Sequence, residues 1–278
     1  MRLLICGDVV GRSGREAVKA QVPRLRRELG LDFVVVNGEN AAGGFGITDK
    51  LCAELYAAGA DVITTGNHVW DQRELLGYIG GDPRLLRPLN LPAATPGAGA
   101  RVFELGDGRR VLVLNPMARL FMDAIDCPFA AVERELGLHP LGDVQAVVID
   151  FHGEATSEKM AMGHFADGRA SVVIGTHSHV PTADAQILAR GTAYQTDAGM
   201  CGDYDSVIGM QKETAVARFV NKIPGERLKA ADGEGTLCAV FVETDDTTGL
   251  ARRIEPVRLG GRLAEHLPRV EPAPSVPA

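Results

Sequence analysis

Seven side chains able to hold a metal ion stand directly behind short apolar runs, and the coincidence occurs five times along the chain. LLICG runs into Asp8, VVVNG into Glu39-Asn40, VITTG into Asn67-His68, VVIDF into His152, and VVIGT into His177-Ser178-His179. Each run reads as a buried strand that hands the chain to a loop opening on a metal-competent residue. In open α/β sheets, the loops beyond the carboxyl ends of parallel strands gather around one crevice, so these side chains can meet. Carboxylates, imidazoles and amide oxygens without a thiolate suit manganese, iron, zinc or cobalt rather than copper or an iron–sulfur cluster. Three imidazoles, two carboxylates and one or two amides exceed the needs of one tetrahedral ion. Two ions sharing a carboxylate use them all. Such a pair makes a nucleophile from water and clamps the attacking and leaving oxygens of a displacement.

Taken singly, each motif has a plainer reading. An Asp behind a strand usually caps or turns the chain, and Asn and His both serve turns well. His177 and His179 are stronger, because imidazoles at i and i+2 beyond one strand can reach one site. The conjunction carries the argument. His139, His164 and His266 fall outside it and read as structural. Met160, Met162, Met200 and Met210 read as packing or site lining, and Cys6 as a buried free thiol.

The elements that must position these residues alternate in the first two thirds of the chain. Leu3–Cys6, Phe33–Val36, Val62–Thr65, Val111–Leu114, Ala146–Ile149 and Val172–Ile174 read as buried strands. Helical patterns cover 15–29, interrupted or kinked at Pro23, then 49–58 behind a Thr48 N-cap, and 71–79. Alternation of this kind predicts parallel pairing through crossover helices. After about residue 180, Ala185–Leu188, Thr192–Gln195, Leu237–Glu243 and Ala251–Val257 read as strands, with a helix near 211–220. This second half is expected to wrap a more antiparallel sheet against the first. Residues 82–100 are rich in Pro, Gly and Ala and read as an irregular surface excursion that shapes either the substrate mouth or a subunit contact. The expectation is one domain over 1–270, two layers of sheet, and a disordered tail over 271–278.

The chain has 278 residues, 45% hydrophobic and 23% charged, the balance of a globular protein with a substantial core. Its net charge of −7 argues against a nucleic-acid duplex as standing partner, since that binding neutralises phosphates with Lys and Arg. A small phosphorylated substrate remains compatible, because bound cations outweigh the global sign locally. The 5 cysteines show no CxxC spacing, as expected in a reducing cytosol. The first apolar run breaks at Asp8, too short for a signal-peptide core, and no stretch approaches a membrane span, so the cytoplasm is the expected location. A homo-oligomer is expected only on general grounds.

Asp8, Gly38-Glu39-Asn40, Gly66-Asn67-His68, Asp150-Phe151-His152-Gly153 and Gly175-Thr176-His177-Ser178-His179 resemble the ordered motifs of the calcineurin-like metallophosphoesterases. Gln195 to Met200 and Asp205 to Met210 extend the likeness to a bacterial branch that acts on 2′,3′-cyclic nucleotides and other phosphodiesters. The superfamily usually begins Asp-x-His where this chain has Asp8-Val9-Val10, and continues Gly-Asp-x-x-Asp where Gly38-Glu39-Asn40 stands. The same substitutions mark the bacterial branch.

The resemblance implies a four-layer α-β-β-α sandwich of two packed mixed sheets flanked by helices. It implies two divalent or trivalent ions, iron or manganese ahead of zinc. Asp8, Glu39, Asn40 and His179 would hold one ion, with Asn40 replacing the imidazole missing at Val10. Glu39, shared, would hold the other with Asn67, His152 and His177. The implied reaction is in-line attack on phosphorus by a metal-bound hydroxide, with His68 as general acid to the leaving alkoxide. No Arg or Lys lies inside the motifs to clamp a dianionic monoester, which favours diesters. Arg12, in the Gly11–Gly14 loop, is a candidate to contribute from outside. A phosphomonoesterase or nucleotidase on the same scaffold is the alternative enzyme. A metal- and ligand-binding regulatory protein is the alternative of another class, disfavoured because a pure binder needs no general acid.

Overall fold

The computed structural model describes residues 1–221 and 226–270, so the tail expected from Glu271 lies outside the described residues. Chain order begins β1 (Arg2–Cys6), β2 (Asp8–Val9), α1 (Gly11–Leu29), β3 (Phe33–Asn37), α2 (Asp49–Ala57), β4 (Val62–Thr64) and α3 (Leu75–Tyr78). It continues with β5 (Ala100–Glu104), β6 (Arg110–Leu114), α4 (Pro128–Leu138), β7 (Ala146–His152), α5 (Thr156–Ala166) and β8 (Val172–Thr176). The last part holds β9 (Gln186–Ile187), β10 (Ala193–Gln195), β11 (Met200–Cys201), α6 (Lys212–Asn221), β12 (Leu237–Thr244) and β13 (Ala251–Leu259).

The strands form a five-stranded sheet, β13-β12-β1-β3-β4, a six-stranded sheet, β5-β6-β7-β8-β10-β9, and a two-stranded parallel pair, β11-β2. Within each, the central strands run parallel and the antiparallel partners sit toward the edges. Side-chain alternation then assigns the layers. Leu3, Ile5, Phe33, Val35 and Val62 face Val111, Val113, Val148, Val172 and Ile174 in a core between the sheets. The intervening residues point the other way. Leu4, Cys6, Val34, Val36 and Ile63 pack on α1 and α2 through Val18, Val22, Leu25, Cys52 and Leu55. Leu112, Leu114, Val147, Ile149 and Val173 pack on α4 and α5 through Val132, Leu136, Met162 and Ala166. Strands buried on both faces read as unbroken apolar runs for this reason. Truncating such a core Leu or Ile to Ala typically costs about 2–5 kcal/mol. The result is the α-β-β-α sandwich expected from the resemblance.

Local chemistry explains the helix ends. Thr48 caps α2 by accepting from the Leu51 N–H, and Gly30 ends α1 in a left-handed turn at φ 61°, where a Cβ would be strained. Several expectations differ from the structure. Helix α1 starts at Gly11 and runs through Pro23 without interruption, so Gly11–Gly14 is its first turn and not a loop. Residues 71–79 contain only α3 followed by a 3₁₀ turn. The strands after residue 180 build no sheet of their own. β12 and β13 extend the first sheet beside β1, while β9 and β10 extend the second beside β8. Pairing depends on contacts distant in sequence, which local pattern does not carry. Strand β5 and helix α4 lie outside the elements expected from sequence. The excursion at 82–100 ends in β5 and lines a cavity of about 540 Å³ with Asp126, Cys127 and Arg134, where no candidate ligand stands.

Candidate metal centre

The parallel strands of both sheets end on one side of the molecule and deliver the predicted residues there. Asp8 opens β2 and pairs with Met200 of β11. Glu39 and Asn40 follow β3, Asn67 and His68 follow β4, and His177 and His179 lie just beyond β8. His152, like Asp8, lies in a strand rather than a loop, being the last residue of β7. Glycine permits the close approach: a Cβ on Gly66 would lie 2.2 Å from both Glu39 Oε2 and His152 Nε2.

One group of donors centres on His152 Nε2. Glu39 Oε1, Asn67 Oδ1 and His177 Nδ1 each lie 3.1 Å from it. Glu39, His152 and His177 offer atoms all within 4.8 Å of one another, the spacing of a shared cation. The His152 ring is oriented from behind. Its Nδ1–H donates to Thr176 Oγ1 at 2.9 Å, and that hydroxyl donates to Asp150 Oδ1 at 2.6 Å. In the neutral imidazole Nε2 is thereby left with its lone pair toward the other donors. Asp150 also accepts from Thr64 Oγ1 at 2.5 Å and Asn37 Nδ2 at 3.1 Å, which staples one sheet to the other beneath the site.

The second group lies beside Asp8. His179 Nε2 is 4.0 Å from Asp8 Oδ1, while His179 Nδ1–H donates to the Ile208 carbonyl at 2.8 Å. Asp8 Oδ2 accepts the His177 N–H at 3.0 Å, and Asn40 Nδ2 donates to the Gly44 carbonyl at 3.1 Å. Asp8 Oδ1 and Asn40 Oδ1 are buried without any protein hydrogen-bond donor. An unsatisfied buried acceptor costs about 1–3 kcal/mol, and Asp8 Oδ1, which stands 3.7 Å from His152 Nδ1 and 4.0 Å from His179 Nε2, and Asn40 Oδ1 are each an oxygen that a cation would satisfy. The hard oxygen and imidazole donors fit divalent or trivalent first-row ions. His177 and His179 have φ of 95° and 65°, left-handed values that non-glycine residues rarely adopt and that cost about 1–3 kcal/mol each.

His68 sits at the rim with its Nδ1 2.9 Å from Asp71 Oδ2 and its ring edge-on to Phe45. Its N–H donates to Glu39 Oε2 at 3.2 Å. Arg12 lies elsewhere, exposed on the first turn of α1 in a groove with Asp232 and Glu234. His139 ends α4, His164 lies at the end of α5, and His266 pairs with Glu255, all away from the cluster. Sequence reasoning assigns no role to Asp71, Asp150, Thr176, Lys159 or Asp197. Asp150, Thr176 and Asp197 stand inside recognised motifs. Their function depends on partners from other strands, which the motifs do not disclose.

The donors perturb one another's protons. Burial raises Asp8 to about 6, against the pull of His179 and His152. For Glu39, burial acts upward, but His152, with its charge and hydrogen bond, wins and holds the carboxyl down at about 2. His152 resists burial because Glu39, then Asp8 and Asp150, push it up to about 9. Burial and the neighbouring His152 push His177 down to about 3. A metal ion needs neutral imidazole and ionised carboxylate, so it must displace the His152 proton at neutral pH and the Asp8 proton below about pH 6. Affinity is therefore predicted to rise with pH, about tenfold per unit for each proton displaced. Manganese titrations of metal-free protein at pH 6 and 8, with proton release measured in two buffers, check this. A flat profile would contradict it.

The YmdB-like protein family model matches residues 4–257. A Bacillus subtilis protein named 2′,3′-cyclic-nucleotide 2′-phosphodiesterase is 46% identical over 257 residues, covering 92% of this chain and 96% of that protein. A crystal structure from Thermus thermophilus, described as a hypothetical protein, is 41% identical with a TM-score of 0.88, covering 94% of this chain and 100% of that one. A Mycoplasma pneumoniae structure described as a novel phosphatase is 32% identical with a TM-score of 0.87, covering 94% and 93%. A 5′-nucleotidase precursor from Thermus thermophilus, 13% identical with a TM-score of 0.54, shares the fold, this chain covering 54% of it. Matched over nearly its whole described length, the chain belongs to the YmdB-like protein family of metallophosphoesterases.

Proposed function

We propose that this chain, as a single domain over residues 1–270, hydrolyses small phosphodiesters, 2′,3′-cyclic nucleotides foremost, with two metal ions. Asp8, Glu39, Asn40 and His179 would hold one ion, and Glu39, Asn67, His152 and His177 the other. The observation that carries this reading is the meeting of Glu39, Asn67 and His177 donors within 3.1 Å of His152 Nε2, together with the orphaned buried oxygens of Asp8 and Asn40. The name of the Bacillus subtilis relative supports the substrate. When bound, the two ions would supply a nucleophile from water at neutral pH and offset charge developing on phosphorus. The rest is done by the chain's own side chains. Asp71 accepts the His68 Nδ1 proton and fixes the ring, so the proton given to the leaving oxygen comes from Nε2. No Arg or Lys stands inside the donor motifs, and Arg12 lies in a groove away from the cluster. That supports diesters over dianionic monoesters. A panel of monoesters, linear diesters and cyclic diesters under manganese and iron tests the reading; faster turnover of monoesters would replace it with the phosphatase one.

The Asn40 amide supplies a separate test. If its oxygen stands where Val10 leaves no imidazole, Asn40→Ala is expected to weaken one ion and spare the other. Manganese titration resolves the two sites, and wild-type affinity at both would make Asn40 a loop residue only. The location is proposed as cytoplasmic. All 5 cysteines are free, and no described helix is long and apolar enough to cross a membrane.

A further inference from the structure

Lys159 and Asp197 form a fully buried ion pair, Nζ to Oδ2 at 2.8 Å, with side chains 1% and 0% exposed. Neither belongs to the donor set. A charge pair at that depth stabilises little over apolar packing, since desolvation offsets most of the attraction. Its partners suggest another use. Asp197 Oδ2 also accepts the Ser178 N–H at 3.1 Å and the Ser178 hydroxyl at 2.7 Å, and Oδ1 accepts the Gly199 N–H at 2.8 Å. Ser178 is the single residue between His177 and His179, the two imidazoles held in left-handed backbone at φ 95° and 65°. The same segment is tied again at Thr182, whose N–H and hydroxyl both donate to the Asp197 carbonyl while its Oγ1 accepts the Asp197 N–H. Lys159 reaches the carboxylate from α5 beneath Gly175. A Cβ at Gly175 would meet Lys159 Cδ at 2.8 Å and the Thr196 carbonyl oxygen at 1.8 Å.

We infer that the Lys159–Asp197 pair is the positioning device for both metal ions. It pins Ser178 so that the flanking residues hold a backbone they would otherwise leave, and one loop then offers one imidazole to each ion. The inference rests on the two-ion reading proposed above. Two oxygens of one carboxylate serve four donors, and the Lys159 Nζ holds that carboxylate in place in a dry interior. The consequence is specific. Disturbing a ligand of one ion weakens that ion, whereas disturbing Asp197 weakens both together, although it touches neither.

The test is manganese titration, followed by electron paramagnetic resonance, of the full chain carrying Asp197→Asn. Apo-protein melting and near-UV circular dichroism are measured alongside. Asparagine leaves one oxygen for the four donors and turns an NH₂ group toward one of them. Both dissociation constants are expected to rise by similar factors, about 10–100-fold, the scale of losing an outer-shell partner of a ligand. Asn40→Ala provides the contrast, affecting one ion only. Should Asp197→Asn alone fail to fold, Lys159→Met with Asp197→Asn removes both buried charges, still leaves one oxygen where the Ser178 and Gly199 donors had two, and is expected to weaken both ions likewise. Wild-type affinity at either ion in the folded variant, with only the melting temperature lowered, overturns the inference and makes the pair purely structural. Failure of the wild-type chain to bind two ions overturns the two-ion reading itself, a result seen before any variant is made.

Discussion

Glu39→Ala is expected to empty both metal positions and take hydrolysis to background. Glu39 is the one carboxylate shared by both ions in the proposed ligand set, and its Oε1 lies 3.1 Å from His152 Nε2 while Oε2 accepts the His68 N–H. Removing one electrostatic partner of a developing charge costs about 10²–10³-fold, and loss of two ions must exceed that. The carboxylate is also the main counter-charge of His152, so its removal leaves a buried imidazole that is no longer favoured as a cation. Elemental analysis of wild type and variant reads the effect. Glu39→Gln keeps an oxygen for the His68 N–H and serves as the control for folding. Full occupancy of either ion in Glu39→Ala would end the bridging assignment.

His68→Ala is expected to separate proton donation from metal binding. The ring stands at the rim on Asp71, and only its backbone N–H reaches Glu39, so both ions are expected to remain. The chemical effect depends on the leaving group. A ribose alkoxide has a pKa far above neutrality and needs a proton as it departs, and losing the donor costs about 10²–10⁴-fold. A nitrophenolate leaves unprotonated near pH 7. On 2′,3′-cyclic nucleotides kcat/KM is therefore expected to collapse, while nitrophenyl phosphodiesters keep most of theirs. Equal loss on both substrates points to positioning or electrostatics instead, and loss of an ion makes position 68 a ligand. Asp71→Asn is the companion variant. It shares the pattern in weaker form, since Asp71 acts only through the ring it orients.

The apolar runs behind which the donors stand are legible because a strand buried on both faces must be apolar throughout, and its end must be polar where it leaves the core. That requirement is local, so LLICG, VVVNG, VITTG and VVIGT all form strands within a residue or two of expectation. VVIDF reads three residues short. Strand β7 continues through Asp150 and His152 because Asp150 is satisfied by Thr64, Thr176 and Asn37 from three other strands, allowing a carboxyl group inside a sheet. The excursion at 82–100 reads as loose surface for a similar reason. Arg87 ties it down by donating to the Pro88 and Pro96 carbonyls, and its role emerges only with those partners in place.

Residue type and order along the chain are enough to establish which side chains carry chemistry and that a parallel α/β framework presents them. Both are written in short windows of sequence, in the period of apolar residues and in the polar residue that ends each run. The sharing of late strands between the two sheets, the staple at Asp150 and the clamp of Lys159 on Asp197 are of another kind. Each joins residues from separate elements, and a buried polar group is tolerable only when all its partners arrive together. No window of sequence contains those partners, so the geometry that turns seven candidate donors into a centre belongs to the folded chain.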